Sequence, residues 1–191
     1  MYNLVIFGPP GAGKGTQSEK IIDKFSLTHL STGDLFRKHL GEGTELGVLA
    51  QGYMDNGNLV PDDVVIKMVD DKISTTPDTN GFIFDGFPRT VPQAEALDQL
   101  LMARGEKINC VISLEVKEDE LWARIEERGK TSGRADDQDK SKFDTRINAY
   151  KSETVPVLDY YKKANLVAGI YGIGSIDDIF GAIVEAIEKT R

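Results

Sequence analysis

The stretch "GPPGAGKGTQ", Gly8 to Gln17, gathers four glycines around a single lysine, Lys14. Its Gly8-x-x-x-x-Gly13-Lys14 frame is that of a P-loop, where a strand turns through glycines into a helix N-terminus. Glycines let successive backbone N–H groups converge on one anion. The helix end adds partial positive charge and Lys14 a full one, so the expected ligand is the β- and γ-phosphates of a nucleoside triphosphate. The hydroxyl slot after Lys14 holds Gly15, and the hydroxyl follows one residue later at Thr16. Further along, "FIFDGFPR", Phe82 to Arg89, sets Asp85 after three apolar residues. That is the C-terminal end of a strand, where open α/β sheets bind ligands. A carboxylate there can hold Mg²⁺ through its water shell, since Mg²⁺ keeps several waters and bridges phosphates. A third stretch, "EERGKTSGRADD", Glu126 to Asp137, carries Arg128 and Arg134 in a segment of poor helix propensity and reads as a polar loop.

These groups need a frame. Apolar runs of strand length at Asn3 to Phe7, Gly81 to Phe84, Asn109 to Leu114 and Leu166 to Tyr171, with a weaker one at Thr28 to Leu30, alternate with helical patterns. Runs apolar on both faces suit a buried parallel sheet. Val91 to Ala103 and Asp119 to Glu127 read as helices. At the C-terminus Ile176, Ile179, Phe180, Ile183, Val184 and Ile187 form a helical stripe. The alternation predicts a three-layer α/β P-loop fold, a five-stranded parallel sheet flanked by helices. Residues 31–75 hold several helical pieces without a strand, and 129–137 form the polar loop. Both read as insertions on the core.

The totals exclude several classes. A chain of 191 residues reads as one domain with insertions. Its 31 acidic against 23 basic residues argue against a general nucleic-acid binder, though a basic cleft can sit inside an acidic envelope. One cysteine, Cys110, allows no intramolecular disulfide and no Cys-rich zinc site. No leader or membrane span is legible, so the expectation is a cytoplasmic protein with no membrane partner.

Taken together, "GPPGAGKGTQ", "STGDLFR" (Ser31 to Arg37), "DGFPRT" (Asp85 to Thr90) and "SGRADD" (Ser132 to Asp137) resemble the adenylate kinases, in order and along essentially the whole chain. The Gly15-Thr16 variation is itself that family's form. The resemblance implies transfer of a phosphoryl group between ATP and AMP to give two ADP, an activity of nucleotide biosynthesis. It implies Mg²⁺ carried with ATP, an AMP-binding insertion at 31–60 and a lid at 127–137. The lid is of the short type, without zinc cysteines.

Residue by residue, the resemblance implies that Gly11, Ala12, Gly13, Lys14, Gly15 and Thr16 wrap the ATP phosphates while Gly174 lies against its adenine. Ser31, Thr32 and Arg37 would meet AMP, Thr32 near the base and Arg37 at the phosphate. Asn58, Leu59 and Val60 would line that pocket. Gly86, Phe87 and Pro88 would lead to Arg89 on the AMP phosphate, and Gln93 would read the adenine edge. Arg128, Arg134 and Arg146 would converge on the phosphoryl group in flight, with Asp85 and Asp136 or Asp137 managing the Mg²⁺ shell and orienting arginines. Arginine suits this task because its guanidinium stays charged and grips phosphate oxygens as a bidentate fork. His29 and His39 read as structural. On their own residues, Thr32 reads equally as a helix N-cap and Gln93 as a surface side chain. The step from Arg134 to Arg146 is one residue longer than the resemblance implies. A loop over Asp136 to Lys140 absorbs it; a continuous helix would turn Arg146 about 100° away. The competing readings are a UMP/CMP kinase, which Thr32 and Gln93 disfavour, and a P-loop switch, which lacks a guanine-reading Asn-Lys-x-Asp. A catalytically dead scaffold is disfavoured because the phosphate-binding residues are all present. Small size leans towards a monomer.

Overall fold

The computed structural model describes residues 1–191, the side chain of Ala135 excepted. Five strands, β1 (Asn3–Phe7), β2 (Thr28–Ser31), β3 (Phe82–Asp85), β4 (Ile108–Glu115) and β5 (Val167–Tyr171), form one parallel sheet in the order β2-β3-β1-β4-β5. Successive side chains on a strand face opposite ways. In β1, Val5 and Phe7 join one core with Phe82 and Phe84, while Leu4 and Ile6 join the other with Ile83 and Ile112. All of these side chains are buried, which is why the runs lack polar alternation.

Helices α1 (Lys14–Phe25) and α9 (Ile176–Glu188) cover one face with α6 (Glu118–Ser132) and α7 (Lys140–Ala149), through Ile21, Ile183, Ile125 and Ile147. The other face is covered by α4 (Asp62–Ser74), α5 (Val91–Ala103) and α8 (Val155–Lys162), through Val69, Leu97 and Val157. From β1 the chain crosses to one edge of the sheet, and from β3 and β4 to the other. The carboxyl ends of these central strands therefore open the crevice where such sheets hold ligands. Between β2 and β3, α2 (Thr32–Gly41) and α3 (Glu45–Met54) pack on each other. A Cβ at Gly47 would fall 2.3 Å from the Leu40 nitrogen, so only glycine permits that contact.

The structure corrects the loop expected at 129–137. α6 runs through Gly129, Lys130 and Thr131 to Ser132 and ends on Gly133, left-handed at φ 64°. Glu118, Asp119 and Glu120 fill its first turn, where negative charge is favourable. Gly129 makes a close backbone approach possible. Its Cβ position lies 2.9 Å from the Asp137 carbonyl oxygen, so the backbone of the next segment packs where a side chain would stand. Tertiary contact overrides weak local propensity here. The C-terminal stripe also needs trimming: Ile179, Ile183 and Ile187 are buried, but Ile176 is 51% exposed.

One feature had no sequence expectation. α7 passes into α8 through a π-helical turn, Tyr150–Thr154, closed by the Val155 N–H donating to the Tyr150 carbonyl. Pro156 lacks an N–H and its ring crowds the carbonyl four residues back, so the ladder widens by one residue there.

Candidate active site

The P-loop leaves β1 and enters α1 through Gly11 (φ 86°) and Gly13 (φ 92°), both left-handed. A Cβ on Gly11 would lie 2.8 Å from the Leu121 carbonyl oxygen, so the loop tucks under α6. The Lys14 ammonium donates to the carbonyls of Gly8 (2.7 Å) and Pro9 (3.3 Å). Burial pulls its pKa down to about 8; Asp85 opposes the shift, and Arg89, Arg146 and Arg128 add to it. Gly11, Ala12, Gly13, Lys14, Gly15 and Thr16 all line one cleft of about 1280 Å³.

The opposite wall comes from the β2–α2 junction, the α3–α4 connection and the segment after β3. Ser31 is the N-cap of α2, its hydroxyl accepting from the Asp34 N–H at 3.2 Å. This displaces the capping alternative for Thr32, whose buried hydroxyl instead donates to the Gly86 carbonyl at 2.9 Å. Arg37 pairs with Asp34 one turn away on the same helix. Asn58, Leu59 and Val60 line the cleft, as do Gly86 and Arg89. The Arg89 Nε donates to the Gly86 carbonyl at 2.8 Å, which aims the guanidinium inward. The protein packed around its guanidinium foremost, then Arg146, lowers the Arg89 pKa, although the residue as a whole is exposed to the cleft.

Gln93 also lines the cleft, and at 2% exposure it is no surface glutamine. Thr90 caps α5, accepting from the Gln93 N–H. The Gln93 Oε1 accepts from the Arg89 N–H at 2.8 Å, and its Nε2 donates to Asp62 at 2.7 Å. This is a capping box shifted back by one residue. Phe87 and Pro88 are not among the residues that line the cleft. They line an adjoining cavity of about 70 Å³ together with Tyr150 and Thr154, and Gly86 (φ 76°), Arg89 and Arg146 border both spaces.

The third wall carries the arginines. Asp137, 1% exposed, accepts from Arg128 through both oxygens, at 2.7 Å from Nε and 2.6 Å from Nη2. Arg146 Nη1 reaches Asp137 at 3.0 Å and Asp136 at 2.8 Å. The extra residue before Arg146 is absorbed as follows: a 3₁₀ turn spans Ala135–Asp137, and α7 starts afresh at Lys140 behind the N-cap Asp139. Arg146 consequently faces the cleft with Arg128 and Arg134. Burial alone would raise the Asp137 carboxyl; the Arg128 hydrogen bonds, with Arg146 adding, hold it below the usual range. A carboxyl depressed on folding contributes stability that is present above its unfolded pKa of about 3.9 and lost as pH falls through the folded value. Asp137→Asn should therefore cost roughly 1.5–3 kcal/mol at neutral pH. It should also flatten the acid limb of a plot of Tm against pH below about pH 4. An unaltered acid limb would show that Asp137 is not the linked group.

One further residue reaches the cleft wall, and another stands behind it. His29 lies on the cleft wall with its Nε2 3.6 Å from Asp85, so it borders the site and does not merely fill core; His39 contacts Thr44 beside the α2–α3 turn. Asp62, unmarked by any motif, stands behind Gln93. Gly174 is not brought to the cleft. Its turn is tied to α6 by Arg124, which donates to the Gly172 carbonyl at 3.1 Å, and Gly174 itself faces open space. Among the described residues no three His, Cys, Asp or Glu side chains converge as a metal cage. Asp85, 13% exposed beside Lys14, offers a carboxylate that suits an ion arriving with its waters and phosphates.

Comparison with known proteins agrees in one direction. The family model described as adenylate kinase matches residues 6–166. An adenylate kinase of Bacteroides thetaiotaomicron is 48% identical over 189 residues, 99% of this chain and 100% of its own. One from Flavobacterium johnsoniae is 49% identical with the same coverage, and one from Parabacteroides distasonis 44% identical over the full length of both chains.

Proposed function

The chain belongs to the adenylate kinase family, and we propose on that premise how its residues divide the work of the reaction ATP + AMP ⇌ 2 ADP. It catalyses this reversible phosphoryl transfer between two bound nucleotides. The single observation that supports the residue roles is one cleft with a P-loop on one wall, Gln93 and Arg89 on another, and Arg128, Arg134 and Arg146 between them.

Gly11 to Thr16 bind the ATP phosphates, with Lys14 charging the cradle. Thr32, Val60 and Gln93 hold the AMP base and sugar, and Arg37 and Arg89 its phosphate. Arg128, Arg134 and Arg146 stabilise charge that spreads over the equatorial oxygens in transit; positioning and electrostatics make up nearly all of the catalysis. Adenylate kinases generally use Mg²⁺ bound to the nucleotide, and in this chain Asp85 would hold its water shell. Held there, it would supply positive charge against the phosphates. Residues 31–60 act as the acceptor-binding insertion and 127–137 as a lid that excludes water, which would otherwise compete with AMP for the phosphoryl group. The protein works as a monomer in the cytoplasm, without nucleic acid, membrane or zinc. Among the described residues no helix is long and apolar enough to cross a membrane.

A coupled assay offering AMP, UMP, CMP and GMP with ATP tests the acceptor assignment. AMP should give the highest kcat/KM, and faster turnover of UMP would replace it with the UMP/CMP kinase reading.

A further inference from the structure

Gln93 is held at both ends by partners that cannot exchange roles. Its Nε2 donates to Asp62 Oδ1 (2.7 Å), and its Oε1 accepts from the Arg89 backbone N–H (2.8 Å). A carboxylate only accepts and a backbone N–H only donates. The amide therefore has one permitted orientation. The reverse would point its carbonyl at the Asp62 carboxylate and its NH₂ at the Arg89 N–H. Asp62 is itself fixed, because the Thr90 hydroxyl donates to its second oxygen at 2.9 Å while accepting from the Gln93 N–H. Asp62 is only partly buried and does not line the cleft, so any influence on a ligand passes through Gln93.

These bonds leave Gln93 one free N–H and one free carbonyl lone pair. A 6-amino purine offers a donor at its 6-position and an acceptor at N1. A 6-oxo purine has the same outline and offers the opposite pair. An amide able to turn over would serve both, whereas one locked in polarity serves the first and opposes the second. We propose that Asp62 is a specificity-determining positioning residue: it locks the polarity of Gln93 and thereby selects 6-amino over 6-oxo purine monophosphates as phosphoryl acceptors. The inference rests on the assignment of Gln93 to the acceptor base. It links the first residue of α4 to substrate choice across the base of the acceptor-binding insertion.

The test measures Kd by calorimetry and kcat/KM for AMP and IMP in the full-length protein, with Asp62→Asn, Asp62→Ala and Gln93→Leu beside the wild type. Asparagine fills the same space but can donate to a reversed amide, so it removes Asp62's half of the polarity demand while sparing the packing and leaving only the Arg89 N–H to oppose reversal. The AMP-to-IMP preference should fall at least roughly threefold in Asp62→Asn and roughly tenfold in Asp62→Ala, the scale of a hydrogen bond to a charged group. The change should sit mainly in Kd and KM. A purely structural role would weaken both nucleotides alike, and a preference unchanged within about twofold in Asp62→Asn, which keeps the volume, overturns the proposal. Gln93→Leu separates the two levels. If it leaves AMP binding untouched, the assignment of Gln93 to the base fails. If it weakens AMP while the Asp62 variants keep their preference, only the polarity lock fails.

Discussion

Lys14→Ala is expected to lower kcat by at least about 10²–10³-fold, the scale of removing one preorganised donor from developing charge. The ammonium is part-buried at the floor of the P-loop and held to the Gly8 carbonyl at 2.7 Å. Burial drags its pKa down to about 8, and Arg89, Arg146 and Arg128 push the same way. A cation kept in such a place is costly to the folded chain. Between about pH 8 and 10.5 the unfolded lysine holds a proton that the folded one has released, so this residue's contribution to stability rises with pH across that window. The variant should therefore keep its Tm within a few degrees at neutral pH and lose the rise attributable to Lys14. Such a split, with rate lost and stability kept, identifies a group retained for chemistry. Turnover within tenfold of wild type would remove Lys14 from the transition state.

The parts of this molecule that could be read from sequence are those whose meaning is local. Each strand is an apolar run because both faces of the sheet are covered, and the P-loop encodes its turn in its own glycines. The end of α6 was illegible for the opposite reason. Gly129, Thr131 and Ser132 are weak helix formers, and the helix is continued by packing against the backbone of Asp137, which no local propensity reports. The π-helical turn depends on what Pro156 does to a helix whose existence was not apparent. Asp62 marks the limit for the site. Its sequence neighbours present it as an ordinary acidic residue at a helix start, and its role arises only because Gln93, from a different helix, is placed beside it. Phe87, Pro88 and Gly174 show another limit: a motif names a stretch of chain, and which of its atoms line the open cleft follows from the course of the backbone.

Arg134→Lys should lose kcat by at least about 10²-fold although the charge is retained. Of the three arginines on the lid side, Arg128 and Arg146 are pinned by Asp137 and Asp136. Arg134, half-buried, has no carboxylate within ion-pair distance among the described residues. Burial lowers its pKa, and Arg37 and Arg128 lower it further, while nearby Asp137 and Asp136 only partly offset them. A guanidinium held among like charges in a cleft gains most from an incoming anion, and its planar fork can meet two phosphate oxygens at once. Lysine keeps the charge but presents a point donor, so the loss measures geometry and not electrostatics. The comparison with Arg128→Lys makes the test sharper. Arg128 gives both of its hydrogen bonds to buried Asp137, so its replacement should lower Tm as well as rate. Arg134→Lys breaks no ion pair of the fold and should lower rate alone. Near-normal turnover in Arg134→Lys would show that the transferred group needs its charge and not its fork. A fall in Tm to match Arg128→Lys would place Arg134 in the scaffold of the lid instead of at the phosphates.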